Sequence, residues 1–105
     1  MSHKARFYLI ILLYMLTNIS FASDNGFDEI CRIYTEAKNS NMNKTQLSDY
    51  IWDNIQHRVK DEDALKAHEA VFQLDPAKRY PIFKKSAEIS LNKKWGCQAI
   101  KDLLQ

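Results

Sequence analysis

Apolar residues recur at helical spacing along most of the chain. Phe27, Ile30, Cys31, Tyr34 and Ala37 fall at i, i+3, i+4, i+7 and i+10, the stripe of an amphipathic helix over 27–38. Asp28 and Glu29 stand in its first turn, where the helix dipole favours anions, and Asn39-Ser40-Asn41 ends it. Asn43 opens a second helix with Gln46 three residues on, a capping-box pattern. Leu47, Ile51, Ile55 and Val59 follow at strict i+4 spacing, with Tyr50 and Trp52 flanking them. Asp61-Glu62-Asp63 supplies the N-terminal cap of a third helix over 63–74, whose inward positions are Ala64, Leu65, Ala67, His68, Val71 and Phe72. Asp75-Pro76 then opens a further turn. Pro81 lacks a donor and disfavours helical geometry at Tyr80. The pattern therefore predicts a short turn over 76–80 and a fourth helix over 81–91, burying Phe83, Ala87 and either Ile89 or Leu91. After a break at Asn92-Lys93-Lys94, a last helix over 95–104 carries Cys97, Ile100, Leu103 and Leu104.

No stretch alternates with the period of a strand. Only two glycines and two prolines occur in 105 residues, too few for the frequent turns of an all-β fold. Two glycines also exclude Gly-rich phosphate loops and the Gly-x-Ser-x-Gly nucleophile turn. The expected fold is all-α, a small bundle of four to five short helices in one domain.

The first 22 residues read differently. Lys4 and Arg6 precede an unbroken apolar run, Phe7 to Leu16, and Ser20 and Ala22 put small residues three and one before a cleavage point at Ser23. Positive start, apolar middle and small-x-small end mark a secretory signal peptide. Phe7 to Ala22 would make a helix of about 24 Å, short of the roughly 30 Å membrane core. Residues 1–22 are therefore expected to be removed, leaving 23–105 as the domain, exported to the periplasm or secreted, with no membrane span after cleavage.

Export changes the charge picture. The whole chain has 15 Lys+Arg against 13 Asp+Glu, and the surplus of two is Lys4 and Arg6. Residues 23–75 hold 6 bases and 11 acids, and residues 76–105 hold 7 bases and 2 acids. Opposed halves favour docking of one on the other or head-to-tail self-association, so a homo-oligomer is one expectation. The basic third contains Lys78, Arg79, Lys84, Lys85, Lys93, Lys94 and Lys101, with Tyr80 and Trp95 among them. In a neutral, exported domain this patch suits an anionic envelope surface or an acidic protein partner, and no nucleic acid is expected.

Export also sets the expectation for Cys31 and Cys97. In an oxidising compartment two cysteines pair. The bridge would close a loop of about 67 residues and stabilise by roughly 4 kcal/mol on the chain-entropy model. A redox centre would want Cys-x-x-Cys.

Motifs for catalysis or metal fail one by one. His68-Glu69 begins like a zinc-protease helix, but Phe72 stands where the second histidine is required. Asp61-Glu62-Asp63 begins like a calcium loop, but Lys66 occupies the glycine position and Phe72 the bidentate acid. No catalytic residue, metal site or cofactor is assigned. Tyr50, Trp52, Tyr80 and Trp95 are candidate binding residues if exposed, because aromatic side chains anchor interfaces.

Residues 63–76 resemble the second helix of a tetratricopeptide repeat, but Trp52 sits where that repeat wants glycine and no second 34-residue copy exists. Cys31, then Arg79-Tyr80-x-x-Phe83-x-x-x-Ala87-Glu88, then Trp95-x-Cys97, resembles small exported single-disulfide helical proteins of proteobacteria. That resemblance implies a Cys31–Cys97 bridge and brings no catalytic residues. It alone adds Arg79 to the candidate binding residues, and the favoured role of Arg79 and Tyr80 is structural: Tyr80 packed, and Arg79 paired with an acid of the first half. Size, helix content and a single bridge also resemble the periplasmic acid chaperones. The expected function is a non-enzymatic module that binds a protein or a surface. The alternatives are an acid-stress chaperone, an enzyme inhibitor or a secreted host-directed factor.

Overall fold

The computed structural model describes residues 25–105; the signal-peptide expectation over 1–22 falls outside them. Five helices follow one another: α1 (Gly26–Lys38), α2 (Lys44–Arg58), α3 (Glu62–Val71), α4 (Pro76–Leu91) and α5 (Gln98–Leu103). No strand occurs among the described residues. The fold is the all-α bundle expected, with the Cys31–Cys97 disulfide joining the first helix to the residue that caps the last.

Capping side chains fix where the helices begin. The Asn25 carboxamide oxygen accepts from the Asp28 amide at 2.9 Å. On α2, Asn43 and Gln46 exchange both bonds of the capping box, at 2.9 and 3.1 Å. Asp61 serves two helices. Its Oδ1 accepts from the Asp63 amide at 3.0 Å, and its Oδ2 from the Gly26 amide at 3.2 Å. A Cβ added to Gly26 would sit 2.5 Å from the Asp61 Cβ and 2.8 Å from that of Ala64. Glycine is needed there because the starts of α1 and α3 touch.

Helix α1 is the hub, packed against α2, α3 and α5, while α4 packs on α3. A central helix is buried on more than one side. Ile33 is accordingly buried beside Phe27, Ile30, Tyr34 and Ala37, although it lies off their stripe. The rest of the core comes from Ile51, Ile55, Val59, Ala64, Val71, Phe83, Ala87, Ile100 and Leu104. Phe27, Phe83 and Trp95 meet in tilted and edge-on contacts 5.4 to 6.2 Å apart.

Three boundaries differ from expectation, the first being that α3 ends at Val71 rather than at 74. Helix α4 runs unbroken through Pro81. The proline and Ala77, whose carbonyl would have been its partner one turn earlier, are both exposed, so water can hydrogen-bond that carbonyl. Asn92 ends α4 in the left-handed conformation at φ 54°, which asparagine tolerates better than most residues. The last helix starts at Gln98 rather than at 95, and Trp95–Cys97 is a non-helical strap whose last residue, Cys97, is extended. Of the two alternatives on α4, Leu91 packs against the core and Ile89 is 72% exposed.

Candidate functional site

Helix α2 presents Trp52 on one flank of its apolar stripe. The ring meets Phe72, just past the end of α3, with centroids 5.0 Å apart, and His68 at 5.1 Å. Leu47 and Ile51 from α2, Tyr34 from α1 and Leu103 from α5 line a groove of about 410 Å³ beside these rings. Lys44 and Ser48 sit at its rim along α2, and Asp102 and Gln105 along the chain end. Asp102 is ion-paired to Lys38, which holds its carboxyl below the ordinary range. Trp52 remains 37% exposed.

Beneath the groove, His68 is 1% exposed and enclosed by four aromatic rings: Tyr34, Trp52, Phe72 and Phe83, all within 6.1 Å of its centroid. Its Nε2 shares a 2.6 Å hydrogen bond with the Tyr34 hydroxyl. Burial pushes the imidazole down to about 4, so it is neutral at neutral pH. Burial also pushes the Tyr34 phenol up, against a smaller opposing effect of the Arg79 charge. Both partners are therefore uncharged, as a buried polar pair in a dry site requires. His68 is sealed under the rings, while Tyr34 also lines the groove, so the pair sets the position of the groove wall.

The candidate binding residues from the sequence separate. Trp52 lines the groove. Arg79 braces it from behind, its guanidinium 5.2 Å from the Phe72 ring centroid and its Nε donating to the Leu74 carbonyl at 3.2 Å. The expected pairing of Arg79 with an acid is replaced by this stacking. Tyr50 lies on the other flank of α2, where its hydroxyl donates to Glu36 at 3.3 Å. Tyr80 accepts a bond from the Cys97 amide at 3.1 Å and so holds the strap. Trp95 is 8% exposed and anchors the strap in the core, donating from Nε1 to Asp28 at 2.8 Å. As a contact residue Trp95 is corrected: its ring covers Phe27 and Phe83, and little of it reaches a partner.

The flank holding Tyr50 is ionic. Arg58 pairs with Glu29 at 2.7 Å and Glu36 at 2.8 Å, and Arg32 adds a 3.4 Å contact to Glu29. The Arg58 hydrogen bond holds the Glu36 carboxyl below its ordinary range, and the same bond raises Arg58. Arg58 drew no notice in the sequence, because its partners lie 22 and 29 residues away with no local signature. Phe72 and Leu103 were visible only as apolar positions.

Between the two oppositely charged halves, the Lys38–Asp102 pair joins a base of the acidic half to an acid of the basic half. Among the described residues, no group of three or more His, Cys, Asp or Glu is placed to hold a metal ion, and no helix is long and apolar enough to cross a membrane. Set beside known proteins, the chain matches no family model, no curated protein and no solved structure.

Proposed function

We propose that the protein is a small exported, non-enzymatic binding module, periplasmic or secreted, that takes an apolar segment of a protein partner into the Trp52 groove. The observation that carries this reading is a tryptophan, 37% exposed, at the wall of a largely apolar groove and packed against buried His68 and partly buried Phe72. Interfaces draw most of their affinity from such pre-set aromatic anchors. The disulfide is compatible with an oxidising, exported location. An enzyme inhibitor or a host-directed factor would be a special case of the same binding.

A photocrosslinking residue in place of Ser48, at the rim of the groove, tests the idea in the native envelope fraction. One discrete adduct is expected, absent when the crosslinker stands at exposed Gln56 and competed by the unlabelled wild-type protein. Competition of equal strength by Trp52→Ala would sink the reading.

The enclosed Tyr34–His68 pair favours a second reading, an acid-stress chaperone. A buried histidine that takes up a proton in acid loosens the core around it and exposes apolar surface for clients. A client-aggregation assay at low pH that shows no suppression would remove this alternative.

A further inference from the structure

The outer face of α4 carries a surface separate from the groove. Lys78, Ile82, Lys85 and Ile89 recur at i, i+4, i+7 and i+11, and all four are exposed. Ile82 is 45% and Ile89 72% exposed. At about 100° per residue the four side chains fill an arc of about 60°, along a ridge about 16 Å long. The arc lies at the pole of the helix opposite Phe83 and Ala87, its buried residues.

Asp75, the exposed cap of α4, stands three residues before Lys78, and within the helix no acid faces this ridge. Glu88, the single acid of α4, is held by Lys84 at 3.1 Å and by the Trp95 amide at 3.1 Å. Arg79 is turned onto Phe72. Exposed Lys93 and Lys94 extend the positive charge past the helix end. On the α3 side, Asp63 and Lys66 share a shallow depression with Ile89, and their charges offset one another.

Single exposed isoleucines are ordinary. Here the two stand in register with lysines on a narrow convex ridge. A protein partner gains affinity by seating side chains in matching pockets. A headgroup layer needs no matching shape: it admits the isoleucines while the lysine stems lie along it with their ammonium groups at the phosphates. Two copies meeting ridge to ridge would oppose like charges. We propose that the Lys78–Ile82–Lys85–Ile89 ridge lays this protein on an anionic phospholipid surface.

Co-sedimentation with vesicles tests it, using the disulfide-bonded protein. Vesicles of phosphatidylcholine with phosphatidylglycerol should retain the wild type more strongly than those of phosphatidylcholine alone, and the excess should fall as salt rises. Lys78→Gln and Lys85→Gln should each weaken binding about fivefold. The pair Ile82→Ser and Ile89→Ser should weaken it about tenfold. All four sites are exposed, so the thermal midpoint should hold and exclude misfolding as the cause. The apolar run Phe7–Leu16 is common to every variant, so differences between variants report the ridge alone. Trp52→Ala should bind vesicles like the wild type, which separates this surface from the groove. Undiminished binding by the lysine or isoleucine variants would overturn the proposal. So would equal affinity for poly-glutamate, or a dimer in sedimentation velocity that the isoleucine pair abolishes.

Discussion

On one flank of α2, Tyr50 and Arg58 meet Glu29 and Glu36 of α1, with Asn54 accepting from Arg58; on the other, Trp52 meets His68 and Phe72. The first flank is charged and partly exposed, and its polar groups are satisfied by one another. The second is aromatic and mostly buried, and its single polar pair is sealed below the surface. Partly exposed ion pairs contribute little, because water competes for each charge. A sealed pair contributes more, because breaking it strands a polar atom without a partner. The two flanks of one helix should therefore respond to acid, salt and mutation in different measure.

The largest difference should come from pH. The folded His68 titrates at about 4 against an ordinary 6.5, so between those values the unfolded chain binds the extra proton. Stability should be full above 6.5, fall through that window by about 3 kcal/mol, and stop changing on this account below it. Urea unfolding at stepped pH measures the fall, and His68→Leu should flatten it. The lowered carboxyls of Glu36, Glu88 and Asp102 add loss of the same sign as pH falls through their titration. Next in size, Tyr34→Phe should cost about 2 kcal/mol by leaving His68 Nε2 unpaired in the core. On the ionic flank, Arg58→Met should cost about 1 kcal/mol, and the cost should shrink in high salt. Least of all, Tyr50→Phe removes one 3.3 Å bond to a half-exposed carboxylate and should cost under about 0.5 kcal/mol. A Tyr50→Phe loss as large as that of Tyr34→Phe would erase the contrast between the flanks.

What the sequence announced was local. Asn43 with Gln46, and Asp61 ahead of α3, declared helix starts because caps act within three residues. The cysteine pair was legible from the expectation of export, and the bridge is present. Pro81 misled because the rule against proline assumes that the freed carbonyl has no other partner, and on an exposed face it has water. Ile33 was passed over because a stripe counts one buried side, and α1 has several. The site was less legible than the fold. Trp52 could be named, but its neighbours Tyr34, Phe72 and Leu103 converge from three other parts of the chain. His68 read only as one of the inward positions of the third helix, and its partner lies 34 residues away.

One carboxylate at the base of the bundle has a consequence for how the fold opens. Asp61 accepts from amides at the start of α3 with one oxygen and from the start of α1 with the other. Helix ends ordinarily fray one at a time, each amide exchanging with solvent on its own schedule. Here a swing of the Asp61 side chain takes the acceptor from both first turns at once. The amides of Gly26, Asp63 and Ala64 should then exchange as one cooperative group, and Asp61→Ala should free both helix ends together.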